Sequence, residues 1–179
     1  MSAEKLANRY SSAFFDDAVA NQKLEKVKQD VNLIAQTITV SKDFDNFIKN
    51  PIIETSKKQS VIQELFASKL DTVTMNFLKL LIVNRREMYL PLILKKFVNR
   101  YNDVNGITEV NVSVAAELDA ATQNKIEDFI KKQSGKPNVK INQKVDASIL
   151  GGFVIDFGDK ILDNSVKYKL NKIRQELLA

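Results

Sequence analysis

Three aspartates close to the C-terminal end, Asp156, Asp159 and Asp163, have the residue type and the proximity that a cation site needs. Carboxylate oxygens are preferred ligands of hard divalent cations, but these three lack the regular ligand spacing of a calcium loop. Turn and helix-capping roles account for Asp159 and Asp163, and an outward position in a strand accounts for Asp156. We therefore predict no metal site.

A glycine pair, Gly151-Gly152, is a second feature that chemistry could use, since glycine-rich loops cradle phosphates. No further glycine or lysine stands at the spacing of a P-loop or of a dinucleotide-binding fingerprint. We interpret the pair as a bend entering a strand, at backbone angles that only glycine tolerates. The sequence thus predicts no nucleotide site and no cofactor.

The chain has no histidine, no cysteine and no tryptophan among its 179 residues. Histidine is the commonest general base and metal ligand, and cysteine supplies thiolate nucleophiles and thiolate metal sites. Catalysis by carboxylates or lysines stays open, but most hydrolytic, redox and zinc mechanisms are excluded. We predict that the protein is not an enzyme.

The formal net charge of +5 permits contact with nucleic acid or another acidic surface. The basic residues are dispersed among acidic ones, however, and the tightest clusters are pairs such as Lys57-Lys58 and Lys131-Lys132. A nucleic-acid-binding protein usually gathers its basic residues on one face, so we interpret these pairs as parts of solvated helix faces. No apolar stretch is long enough to span a bilayer, and any membrane association is expected to be indirect, through a partner.

Apolar residues recur with a helical period from residue 4 to about residue 104. Candidate N-caps precede three of the helical segments: Ser41, Thr55 or Ser56, and Asp71. Six helices with short connections are typical of a helical bundle. One of them, the fifth, is apolar around nearly its whole circumference, with Phe77, Leu78, Leu80, Leu81, Ile82 and Val83 interrupted only by Lys79. Such a helix must be covered all round, either by its own bundle or, on one face, by a helix from another protein.

At Asn105-Gly106 the apolar period changes from near 3.6 to 2, which indicates strands. The pattern beyond it predicts the order β-α-β-β-β-α, a small α+β unit. Gly158 and Asp159 are predicted to form the turn of a hairpin, and Asp163 or Ser165 to begin the last helix. We therefore predict an α+β protein with two domains, residues 1–105 and residues 106–179.

The segment Gly151 to Leu170, GGFVIDFGDKILDNSVKYKL, resembles the C-terminal signature of the delta subunit of F-type ATP synthases. That signature has a glycine pair or small residue, an apolar strand, Gly-Asp, an apolar pair, Asp-x-Ser-Val and a basic helix. In mitochondria this family is called the oligomycin-sensitivity-conferring protein. The stretch Ala7 to Phe15 is similar to the first helix of the family, and Asn84 to Pro91 resembles the joint before its sixth helix, with Glu87 where leucine is common.

The resemblance implies a non-catalytic stator subunit, which keeps the catalytic head from turning with the rotor. Residues 1–105 would bind N-terminal segments of alpha subunits, one of them as a helix laid against the first and fifth helices. Residues 106–179 would hold the C-terminal ends of b-type subunits of the peripheral stalk. The lack of an evident transit peptide favours a bacterial protein, so we expect a peripheral location on the cytoplasmic face of the inner membrane; a processed organellar protein would look the same in sequence.

Together with the helical periods, the resemblance predicts a groove for the alpha-subunit helix. Its predicted residues are Tyr10, Ala13, Phe14, Phe77, Leu80, Leu81 and Asn84. The small side chain of Ala13 would let a partner helix approach closely, and Asn84 would satisfy a polar group at the rim. An RNA-binding or other adaptor is the alternative function, although no G-x-x-G clamp occurs and aromatic residues are not interleaved with Lys and Arg along the leading strands.

Overall fold

A computed structural model describes residues 2–115, 120–157 and 160–178 of the chain. The chain divides into two compact units, one ending at Tyr101 and the other beginning at Asn102. The first is helical and the second carries a mixed four-stranded sheet, so the predicted α+β class is confirmed. Within the described residues, no helix is both long and apolar enough to cross a membrane.

The helices that begin before residue 102 are α1 (Ala3–Ala20), α2 (Leu24–Val40), α3 (Lys42–Lys49), α4 (Thr55–Phe66), α5 (Thr72–Val83) and α6 (Leu90–Val104), with a 3-10 turn at Glu87–Tyr89. Two predicted N-caps are confirmed, since Ser41 Oγ and the Asp71 carboxylate accept first-turn amides of α3 and α5 at 3.2 and 2.9 Å. The prediction of Thr55 or Ser56 as the cap of α4 is wrong. Both residues already lie in the first turn, and the residue before it, Glu54, makes no side-chain capping bond.

Phenylalanine rings connect α1, α5 and α6 at the centre of the first unit. The rings of Phe14 and Phe77 are stacked, with centroids 4.0 Å apart and an interplanar angle of 4°. Phe97 packs against Phe14 and Phe15 with centroid distances of 5.0 and 5.6 Å. All four side chains are buried. Aromatic pairs of this kind stabilise a core beyond the apolar area that they bury.

A buried carboxylate fixes the start of α5. Asp30 of α2 is 2% exposed, and its Oδ2 accepts from the Asp71 amide and the Thr74 hydroxyl, both at 2.8 Å. A buried carboxylate is tolerated only when such bonds replace its hydration. The register of α2 against α5 is therefore specified by polar contacts as well as by packing.

Lys58 corrects the interpretation of Lys57-Lys58 as part of a solvated helix face. Its side chain is 2% exposed, and Nζ donates to the Ile48 carbonyl at 3.0 Å and to Glu87 Oε1 at 2.6 Å. Glu87 Oε2 is buried without a hydrogen-bond partner among the described residues. A lysine is buried only with such partners, and they come from distant parts of the chain, so spacing in the sequence does not show the pair.

The second unit contains β1 (Ile107–Val114), α7 (Ala120–Ser134), β2 (Asn138–Val145), β3 (Phe153–Phe157), β4 (Lys160–Asp163) and α8 (Val166–Leu178). The strand order is β2-β1-β3-β4, with β1 parallel to β2 and the other pairs antiparallel. The parallel pair requires a crossover, which α7 supplies. One face of the sheet and α7 share a core of Val110, Val112, Val114, Ile126, Ile130 and Ile155.

Candidate functional site

Helices α1 and α5 border a cavity of about 640 Å³ that is open to solvent. Lys23, just beyond the end of α1, forms an ion pair at 2.9 Å with Asp71, the N-cap of α5. The end of α1 therefore lies beside the beginning of α5. Because Phe14, earlier in α1, stacks on Phe77, later in α5, the two helices run antiparallel. We call the cavity between them the α1–α5 groove.

The groove residues predicted from the sequence lie together with one exception. Tyr10, Ala13, Phe14, Phe77, Leu80 and Asn84 all line the cavity. The stacked rings of Phe14 and Phe77 form its buried floor, whereas Ala13 is exposed and Leu80 is 51% exposed. Leu81 is the exception and a correction: it is 1% exposed, because it lies on the opposite side of Phe77 from Leu80 and is covered by the rest of the unit.

Three further lining residues were not predicted: Arg9, Asp17 and Asn76. All three are exposed. Arg9 and Asp17 are four residues before and after Ala13, and Asn76 is four residues before Leu80. Residues at this spacing share a helix face, so the helical period could have found them had polar residues been followed as well as apolar ones.

Asn84 closes α5 at one end of the groove. Its Nδ2 donates to the Leu80 carbonyl at 2.9 Å, and the same oxygen also accepts the Asn84 backbone amide at 3.1 Å. For the predicted rim contact, Asn84 therefore offers its Oδ1. On the same helix Leu80 and Val83 are 51% and 62% exposed. One face of this strongly apolar helix is left open by the first unit.

A second apolar surface lies on α8. Val166, Leu170 and Ile173 form a stripe at helical spacing and are 40%, 53% and 52% exposed. The start of the helix is fixed, since Ser165 is 2% exposed and its Oγ accepts the Tyr168 amide at 3.0 Å. Cationic side chains accompany the stripe, namely Lys167, Lys169, Lys172 and Arg174. We call Val166, Leu170 and Ile173 the α8 stripe.

The glycine pair lets the chain pass close to the start of α8. Gly152 has a φ of +75°, and a Cβ there would collide with the carbonyl oxygen of Asn164. A Cβ on Gly151 would come within 2.9 Å of Val166, whose amide donates to the Gly151 carbonyl at 3.0 Å. Asp163 Oδ1 accepts the Ser165 amide at 2.9 Å. The predicted turn residues Gly158 and Asp159 lie outside the described residues.

A family model of the ATP synthase delta (OSCP) subunit matches residues 6–177. The chain belongs to this family. ATP synthase subunit delta of Flavobacterium psychrophilum is 34% identical over 177 residues, with 99% of each chain covered. The chloroplastic subunit delta of Ochrosphaera neapolitana is 29% identical over 179 residues, all of each chain. The resemblance seen in the sequence is confirmed.

A solved structure agrees with this membership of the family. A chain of the Toxoplasma gondii mitochondrial ATP synthase hexamer, determined by cryo-EM, is similar with a TM-score of 0.75 and 25% identity. The similarity covers 97% of this chain and 98% of that one. The likeness thus extends over both units of the protein.

Glu87, the residue that departs from the leucine common in the family, is explained by its contacts. The 2.6 Å ion pair with Lys58 gives its carboxylate a partner at a position that is only 12% exposed. A leucine would need no such partner, because it buries no polar atom. The two residues therefore act as one unit in this member of the family.

The sheet face away from α7 is polar. Glu109 on β1 accepts from Asn142 at 2.8 Å and from Lys140 at 3.2 Å, both on β2, and from Asn102 at 3.3 Å. The hydrogen bond from Asn142, followed by the bond and charge of Lys140, holds the pKa of Glu109 below its ordinary value. Among the described residues, no cluster of three or more carboxylates that could hold a metal ion occurs.

Proposed function

We propose that this chain is a non-catalytic stator subunit that links the catalytic head of an F-type ATP synthase to its peripheral stalk. The observation that carries the proposal is the pair of uncovered apolar surfaces, one in each unit, in a chain of the delta family. Residues 1–105, with six helices in one bundle, would bind the head, and residues 106–179 would bind the stalk. The complex would place the chain at the cytoplasmic face of the bacterial inner membrane.

The α1–α5 groove would hold an N-terminal helix of an alpha subunit. Its floor is preformed, because Phe14 and Phe77 are already packed in the core. Its exposed wall residues, Ala13 and Leu80, present a small and a large apolar surface to a partner helix. α5 has 12 residues and is about 18 Å long, enough for three turns of a bound helix. Such a helix would bury on the order of 1,200–2,000 Å² in total, the range of a stable interface.

Ala13→Trp tests this docking. The indole would fill the groove, so we expect binding of an alpha-subunit N-terminal peptide to be lost in calorimetry. Because Ala13 is exposed, the melting temperature of the protein should barely change. Ala67→Trp, at an exposed position beyond α4, is the matched control and should bind normally. Unchanged binding by Ala13→Trp would place the peptide elsewhere, and a large fall in melting temperature would place Ala13 in the core.

The α8 stripe would hold the C-terminal end of a b-type stalk subunit. An apolar stripe about half exposed on a helix with four cationic neighbours fits an amphipathic segment that carries acidic residues. We expect Ile173→Asp to abolish capture of a b-type C-terminal peptide, since it places a charge in the centre of the contact. Gln175→Asp adds the same charge outside the stripe and should retain capture. Equal loss in both variants would show that net charge, and not the stripe, governs binding.

The alternative of an RNA-binding adaptor has less support. Sheet-based RNA recognition stacks bases on aromatic side chains. Sheet alternation places Ile107, Glu109, Asn111 and Ser113 of β1 and Val154 and Asp156 of β3 on the polar sheet face, and none is aromatic. We expect no change in fluorescence anisotropy of a labelled single-stranded RNA at physiological salt. A saturable increase would favour the adaptor.

A further inference from the structure

The α1–α5 groove carries opposite charges at its two ends. Arg9 and Asp17 both line it and are both exposed. They lie eight residues apart on α1, about 12 Å along the helix axis, with Ala13 midway between them. Because α1 and α5 are antiparallel, Arg9 lies at the same end of the groove as Asn84. Asp17 lies at the other end, near Asn76.

Both charges are available to a partner. Among the described residues, no carboxylate lies within ion-pair distance of the Arg9 guanidinium, and no cation lies within that distance of Asp17. Asp17 accepts one amide bond, from Asn21 at 3.0 Å. Two other charges close to Asp17 are already paired, Lys23 with Asp71 and Asp16 with Arg100. Arg9 and Asp17 therefore set the polarity of the groove.

We propose that this polarity selects the charge order and the orientation of the bound helix. The inference rests on the docking proposed above. The occupant is an amphipathic helix with one acidic side chain against Arg9 and one basic side chain against Asp17, two turns apart on the same face. The apolar residues between those charges contact Ala13 and Leu80.

The groove floor itself gives a bound helix little reason to prefer one direction. It consists of two stacked rings, Phe14 and Phe77, with an interplanar angle of 4°, which offer similar apolar contacts to a helix in either direction. The charges differ between directions, since reversal replaces two attractive contacts with two repulsive ones. An exposed ion pair changes an equilibrium by up to about fivefold, so two pairs produce a preference on the order of tenfold.

Paramagnetic NMR on the full chain tests the orientation. The probe is a synthetic 18-residue amphipathic helix with a Leu/Ala stripe, one Glu and one Lys eight positions apart, and a nitroxide beside the Glu. With the wild type we expect the nitroxide to broaden amide signals around Arg9. In the charge-swapped variant Arg9→Asp with Asp17→Arg, which keeps the net charge, the broadening should move to the signals around position 17 and Asn21.

A second charge swap serves as the control. Glu64→Lys with Lys69→Glu exchanges two exposed charges outside the groove and should leave the broadening around Arg9. The same pose in the wild type and in the Arg9/Asp17 swap would overturn the inference while leaving the docking intact. Equal broadening at both ends in the wild type would overturn it too. No binding of the probe by any variant would overturn the docking itself and this inference with it.

Discussion

The α1–α5 groove and the α8 stripe, two apolar surfaces left uncovered within the described residues, differ in how they are supported. The α1–α5 groove is concave, and its floor residues Phe14 and Phe77 are 1% and 7% exposed. The α8 stripe is convex, and its members Leu170 and Ile173 are about half exposed. The groove is thus an extension of the core of the first unit, whereas the stripe is a helix face held mainly at its capped start.

The polar contacts of the two units differ in the same way. In the first unit Asp30 and Lys58 are each 2% exposed, and each makes two hydrogen bonds. In the second unit the Glu109 network lies on an open sheet face, with Glu109 33% exposed and Lys140 59% exposed. Desolvation makes the buried contacts costly to break, while water substitutes readily for the exposed ones. Stability in the first unit should therefore respond much more strongly to substitution.

The largest expected difference in unfolding free energy is that between Phe14→Ala and Leu170→Ala. Removing the Phe14 ring leaves a cavity against Phe77 and Phe97 and should cost about 3–5 kcal/mol in unfolding free energy. Leu170→Ala should cost no more than about 0.5 kcal/mol, since the side chain is half exposed. Urea titrations followed by amide NMR signals of each unit measure both. Comparable costs would mean that the α8 stripe is packed like a core.

Lys58→Met should destabilise the first unit by about 3 kcal/mol, because it leaves the Glu87 carboxylate nearly buried and unpaired. Adding Glu87→Leu removes that carboxylate, so the double variant should recover most of the loss. Melting curves of the single and double variants measure the coupling. If the double variant were as unstable as Lys58→Met alone, the lost bond to the Ile48 carbonyl would be the main cause, and not the ion pair.

The smallest expected change in unfolding free energy is that of Glu109→Gln, in the second unit. The pKa of Glu109 is lowered by the Asn142 bond and then by Lys140, so the ionised form stabilises the folded state. That stabilisation is present above the ordinary glutamate pKa of about 4.3 and is lost as the pH falls through the lower folded value. Solvent screening limits it to roughly a few tenths of a kcal/mol. Urea midpoints at pH 7 should differ between wild type and variant and converge at acidic pH; a constant difference would exclude titration as the cause.

Local features of this protein could be predicted because they depend on residues close in the chain. The switch in apolar period at Gly106, the caps Ser41 and Asp71, and the α+β class follow from side chains within one or two turns. The groove residues were also largely predictable, since Tyr10, Ala13 and Phe14 on one helix share a face. The family signature around Gly151 rests on the same kind of local pattern.

Tertiary structure alone decided which of these residues are covered. Leu80 and Leu81 are adjacent and chemically identical, yet one is 51% and the other 1% exposed, because the helix turns only the second toward the core. Lys58 is buried because Glu87 and the Ile48 carbonyl, distant in sequence, meet it in the fold. Exposure and ion pairing are properties of neighbours in space, and a sequence lists only neighbours along the chain.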